Sequence, residues 1–187
     1  YGDHRDLHTA YRRQRQMCIR DRKMTKTLVI ARHAKSDWAL GLPDHQRPLN
    51  SRGKRNAPSM GKALHSFGFE PDLIMSSTAV RAKTTATAVA MELDYHLPIK
   101  LKQEIYEEDH IGLTNLIQGI DDSIERAIIF GHKPTLEQLA GHLLQMEGSI
   151  MIPTCGMVCL ETQVRSWADI KPGNFHLKWF LIPKLLA

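Results

Sequence analysis

Cysteine is scarce: three residues in 187, at positions 18, 155 and 159. An oxidised, secreted domain of this length usually carries more, so a reducing compartment, the cytoplasm, is expected. Cys155 and Cys159 then read as small buried hydrophobes, because their spacing lacks the second pair a tetrahedral zinc site needs. Long apolar runs are missing too. No stretch approaches the roughly 20 residues that span a bilayer, so no membrane partner is expected. The chain has no G-x-x-x-x-G-K-[ST] and no H-E-x-x-H. These omissions argue against a nucleotide P-loop and a zincin-type metal site. Internal repeats and long linkers are absent as well.

Charge is nearly balanced once its distribution is considered. The net +5 is concentrated in residues 1–23, which hold seven Lys/Arg against three Asp/Glu and leave 18 against 17 for 24–187. The remainder gives no reason to expect nucleic acid as a partner. Residues 1–23 lack apolar periodicity and a signal-peptide core. Their "MCIRDR" resembles translated sequencing adaptor. We therefore read 1–23 as a disordered or non-native extension, with a native start at Met24 and a single domain over 24–187. An RNA-binding arm is the alternative if that extension is native.

What is present is an alternation of strand and helix patterns. Leu28–Ala31 reads as a buried strand. Ala57, Met60, Leu64 and Phe67 mark one helix face, closed by Gly68, with Pro58 either near the helix start or at a kink. "PDLIMSS" reads as a strand, and Ser76, Ser77 or Thr78 as the cap of a helix over 79–93. "PIKL" and 111–119 suggest a short strand and a helix. A strand at 126–130 leads through Gly131 into a helix with Pro134 in its first turn. "MVCLE" and "FHLKWFLI" follow as strands. This order predicts an α/β three-layer sandwich with a mainly parallel central sheet and helices on both faces.

In such sheets ligands sit at the carboxyl ends of the strands. Three of those ends carry cationic or imidazole side chains: Arg32-His33, Arg81 beyond "SSTAV", and His132 after Gly131. Guanidinium forks match phosphate oxygens, and helix N-termini add N–H donors. A neutral imidazole is a nucleophile at phosphorus, and nearby arginine charge keeps it unprotonated. We therefore expect His33 to attack and carry a phosphoryl group. Arg32 and Arg81 would hold its oxygens, and His132, if protonated, would donate to it. With two arginines supplying charge, neither a metal nor a cofactor is expected. Lys35, Ser36, Asp44 and Lys133 are candidate substrate-groove residues, with Trp38 either in the groove or packed on the scaffold. Asp44, Arg47 and Arg52 form a charged segment, read either as an ion-pair network or as substrate contacts.

"LVIARHAKSDW", "DHQRPLNSRGKRNAPSMGKAL", "PDLIMSSTAVRAKTTA" and "IIFGHKPTLEQLA" together resemble the histidine phosphatase superfamily, the phosphoglycerate-mutase-like group. Within it they resemble the short SixA-type phosphohistidine phosphatases. The resemblance spans about 26–187 and departs from the family pattern at Thr78 and Lys133. It implies a phosphorylated His33, phosphate-binding Arg32 and Arg81, and His132 as the second histidine. Larger relatives carry a carboxylic acid that protonates the leaving oxygen. Glu107, Glu108, Asp109 and Asp44 are the candidates here, the first three read as a solvated run before a helix. An imidazole leaving group needs such an acid far less than an alcohol does. The implied activity is metal-independent hydrolysis of phosphohistidine on a protein, releasing inorganic phosphate. The alternatives are a small-molecule phosphomonoesterase on the same scaffold and a non-catalytic phosphate- or phosphoprotein-binding module. A mutase fits less well, since no segment reads as a lid over the site.

Overall fold

A computed structural model describes residues 25–148 and 150–186. The expectations for residues 1–23, for Met24 and for Cys18 lie outside that range. Six strands, β1 (Lys26–Arg32), β2 (Leu73–Ser77), β3 (Lys100–Lys102), β4 (Arg126–Gly131), β5 (Met157–Thr162) and β6 (Phe175–Leu181), form one sheet in the order β3-β2-β4-β1-β5-β6. The first four run parallel, while β5 pairs antiparallel with β1 and with β6. The sheet is mixed and mostly parallel.

Alternation along the central strands builds both cores. Leu28 and Ile30 of β1 join Ala127 and Ile129 of β4 on one face, under α4 (His110–Gln118) and α5 (Thr135–Leu143). Val29 and Ala31 join Ile128 and Phe130 on the other, under α1 (Ser51–Ser66) and α2 (Val80–Glu92). Because both faces are covered, these strands read as unbroken apolar runs. The expected three layers are thus present. The short α3 (Glu104–Glu107) completes the helices described, none of which is long and apolar enough to cross a membrane.

Several local expectations shift. Helix α1 starts at Ser51, well before Pro58 and not near it, because the Asn50 side chain caps it by accepting from Gly53 N–H at 2.9 Å. Pro58 sits inside a continuous helix. Phe67 lies past the last turn and is 60% exposed, so it does not extend the buried stripe. Gly68, at φ +67°, closes that helix as expected. The N-cap of α2 is Ala79 and lacks a side-chain cap. Ser77 Oγ instead accepts from Ala79 N–H, and Thr78 turns toward His45 and Gln103. Pro134 occupies the N-cap of α5, one position ahead of its first turn.

Glycine 53 matters for the site. A Cβ there would lie 2.2 Å from the Lys35 carbonyl oxygen, so only glycine lets α1 close onto the loop that follows β1.

Candidate active site

The carboxyl ends of β1, β2 and β4 open onto one cavity of about 530 Å³, lined by Arg32, His33, Lys35, Ser36, Asp44, Arg81, His132 and Lys133 among others. These eight candidate residues therefore lie around a single space. Backbone bonds fix the loop that holds it: Arg32 N–H to Gly156 O, His33 N–H to Gly131 O, and Cys155 N–H to His33 O. Thr85, one turn beyond Arg81, accepts from Ala34 N–H at 3.0 Å and donates to Arg81 O at 2.7 Å, so α2 is tied to the same loop.

The His33 imidazole is buried, and its tautomer follows from its neighbours. Nδ1 lies 2.7 Å from the Ala34 carbonyl oxygen, which can only accept, so Nδ1 carries the proton. Nε2 accepts from Arg81 Nε at 3.2 Å, so its lone pair faces the guanidinium. Burial, more than the charges of Arg81, Arg32 and Arg47, pushes its pKa down to about 4, against the bond to Ala34. The charge argument from sequence identified the smaller of the two causes.

His132 lies 5.1 Å from His33, centroid to centroid. Its Nδ1 accepts from Arg81 Nη2 at 3.2 Å, so Nε2–H donates to Ser77 Oγ at 2.8 Å. Burial first, then His33, Arg81, His45 and Arg32, lowers its pKa to about 3. Burial thus opposes the protonated form, the condition under which His132 would donate to a phosphoryl group. An adjacent dianion would favour its protonation.

The two buried histidines have a consequence for stability. In the unfolded chain both titrate near 6.5. Between that value and about 4 the unfolded state binds protons that the folded state refuses, so stability falls as pH drops through this window. Thermal melts in phosphate-free buffer should show that loss, at most about 1.4 kcal/mol per pH unit for each histidine. A His132→Gln variant should show a shallower slope. An unchanged slope would mean that His132 protonates freely when folded.

Arg32 donates from Nη1 to the Ile152 carbonyl at 2.8 Å. The same residue is gripped through its other backbone group, where Ile152 N–H donates to Glu137 Oε1 at 2.9 Å. Glu137 is 5% exposed and pairs with Lys133 at 3.3 Å. Lys133, a candidate groove residue, lines the cavity and leans on α5. Buried donors remain without a protein acceptor, namely Arg32 Nε and both Nε and Nη1 of Arg47.

Sequence reasoning missed two contributors, Tyr106 and Glu137. Tyr106 of α3 meets His132 edge-on at 5.3 Å and donates to Asp44 Oδ2 at 2.9 Å. Its segment read as an acidic run, and nothing in it marked the tyrosine. Glu137 had one legible signal, its i,i+4 spacing from Lys133. Arg47 stacks its guanidinium 3.5 Å from the Trp38 ring centroid and pairs with Asp44, whereas Arg52 is exposed. Of the four carboxylates considered as acids, Asp44 lines the cavity. Glu107, Glu108 and Asp109 do not, and Asp109 caps α4 through Ile111 and Gly112 N–H. Among the described residues no group of three or more His, Cys, Asp or Glu is arranged to hold a metal. Burial drives the Cys155 and Cys159 thiols up to about 12, which leaves them unreactive.

The family model of the histidine phosphatase superfamily (branch 1) matches residues 28–118. An uncharacterised protein of Mycobacterium tuberculosis is 30% identical over 162 residues, 82% of this chain and 99% of its own length. A solved structure from Agrobacterium tumefaciens, named for the phosphohistidine phosphatase SixA, is 26% identical. It aligns with TM-score 0.71 over 84% of this chain and 98% of its own. The protein histidine phosphatase SixA complexed with tungstate shares the fold, with TM-score 0.76, 20% identity and coverage of 86% and 99%.

Proposed function

The chain belongs to the histidine phosphatase superfamily and is a phosphohydrolase, and we propose that it hydrolyses phosphohistidine on a protein through a phosphorylated His33. The observation that carries this reading is the orientation of His33. A neutral ring presents the Nε2 lone pair beside Arg81, with His132 and Arg32 around the same cavity. A pure anion binder would gain nothing from a nucleophile held in one tautomer.

In the first step the Nε2 lone pair attacks phosphorus and the P–N bond of the substrate phosphohistidine breaks. The released imidazole keeps the bonding pair and takes up a proton. Arg32 and Arg81 neutralise the equatorial oxygens, and His132 is placed to donate once the dianion has raised its proton affinity. In the second step water attacks phosphorus and the P–Nε2 bond breaks. Inorganic phosphate leaves, His33 is neutral again, and the proton lost by water passes to phosphate or solvent.

Two features favour a phosphoramidate on a protein. The Asp44 carboxylate is engaged by Arg81, Arg47 and Tyr106, which leaves no free carboxylic acid to protonate an alkoxide. The rim is also apolar and open. Trp38, Leu40 and Leu42 are 70%, 57% and 42% exposed, on a loop whose base is closed by the Ser36–Leu49 bridge. A polypeptide bearing the phosphoryl group would cover this rim, whereas a small phosphoester in the cavity would leave Leu40 and Leu42 uncovered.

The test compares rates on a histidine-phosphorylated protein and on p-nitrophenyl phosphate. Trp38→Ala should lower kcat/KM about threefold to tenfold on the protein, the range of one lost aromatic contact. On the small ester it should change kcat/KM by less than twofold. Equal losses on both would tie Trp38 to Arg47 alone. A higher kcat/KM of the wild type on the small ester would assign a phosphomonoesterase.

A further inference from the structure

Four of the five Arg81 N–H donors are committed. Its Nε donates to His33, and Nη1 donates to the Asp44 main-chain oxygen. Nη2 donates to Asp44 Oδ2 at 2.7 Å and lies 3.2 Å from His132 Nδ1. The Asp44 carboxylate is equally committed. Oδ1 pairs with Arg47, and Oδ2 takes both Arg81 and the Tyr106 hydroxyl at 2.9 Å. Two guanidinium groups around one anion form a donor set that phosphate oxygens would satisfy equally well.

We infer that Asp44 is the resident anion of this seat, exchanging with the phosphoryl group and thereby setting how tightly the enzyme holds phosphate. The inference rests on the reading of the cavity as a phosphoryl site. Between turnovers the carboxylate neutralises Arg47 and Arg81, which otherwise face each other as like charges. A phosphoryl group brings a second negative charge and tetrahedrally placed oxygens, so it displaces the planar monoanion from Arg81. Asp44 can give way. Its side chain is 49% exposed, and it sits on a short 3-10 turn, Asp44–Gln46. Upstream, Gly41 at φ +61° would place no atom within 4 Å of an added Cβ.

The consequence is a site weaker for its product than its arginines alone would make it, which favours release of phosphate. Asp44 is a positioning and affinity-setting residue in this account, and the sign of one substitution separates that from a structural role. Asp44→Asn keeps the shape and removes the competing charge.

Inorganic phosphate and orthovanadate binding to the full chain should be measured by titration calorimetry. Asp44→Asn is expected to bind phosphate at least tenfold tighter than wild type. Its melting temperature without phosphate should fall, and its stabilisation by phosphate should grow. Tyr106→Phe, which removes one donor from the carboxylate, should shift affinity in the same direction by less, and it serves alone if Asp44→Asn does not fold. Wild-type binding with equal or weaker binding by both variants overturns the exchange and leaves the phosphatase reading intact. No binding of either oxyanion by wild type overturns the phosphoryl site itself, and the exchange with it.

Discussion

His33→Ala is expected to lower turnover by about 10⁴-fold or more, the scale on which loss of a covalent nucleophile is felt. It should also abolish the acid-labile, alkali-stable phosphoryl label that the wild type acquires from a phosphodonor. His132 shows the same pattern as His33, one nitrogen donating to Ser77 and the other accepting from Arg81, so the position of the label distinguishes the two rings. Both cysteine thiols are buried and protonated. His33 is itself buried, so alanine leaves a small cavity and deprives the Ala34 carbonyl of its donor. His33→Asn, whose side-chain amide can still donate, separates a folding defect from a chemical one. Turnover by a folded His33→Asn within tenfold of wild type would place the nucleophile elsewhere. Stoichiometric label on that variant would do the same.

The residues legible in the sequence share one property: each stands directly at the end of a strand or in the first turn of the helix that follows. Arg32, His33 and His132 could be grouped because parallel strands in one sheet end on one edge. That topology followed from the apolar runs of β1, β2 and β4. Arg81 could be added because the strand-to-helix step is short. Asp44 and Tyr106 were harder to place. They lie 62 positions apart and meet only because the 3-10 turn Asp44–Gln46 and helix α3 flank the same strand ends from separate loops. Local pattern carries no record of such a pairing. The cap of α2 shows the converse. Ser76, Ser77 and Thr78 all have capping chemistry, but Ser77 turns to His132 and Thr78 to His45 and Gln103. The site drew on the polar groups that local rules assigned to the helix end, and Ala79 became the cap.

Charge state shows a similar limit. Sequence alone supplies the arginines that depress an imidazole pKa, and it cannot supply depth. Burial is the first cause for His33 and for His132, and it arises where Ala34, Cys155 and Gly156 close over the end of β1. The site is poised with both rings neutral, which suits the nucleophile and reserves protonation of His132 for the arrival of a dianion.

Arg81→Ala tests the other half of the chemistry. Arg81 touches His33, His132 and Asp44 at once, and two charged hydrogen bonds to a dianion contribute roughly 1.5–3 kcal/mol each. Vanadate affinity should therefore fall by about 10²-fold to 10⁴-fold. The phosphoenzyme step should slow as well, because the same charge stabilises its transition state. Arg81→Lys should recover little of this, since a single ammonium cannot bond Nε2 of His33 while serving oxygens from two further nitrogens. The pH profile adds a readout that a packing defect would not move. Only unprotonated His33 attacks, so wild-type kcat/KM should fall as pH drops through about 4. Without the Arg81 charge that limb should move upward. It should stop short of 6.5, because burial, the larger cause, remains. A limb that stays near 4 would show that Arg81 charge does not act on His33, and unchanged vanadate affinity would remove Arg81 from the phosphoryl seat.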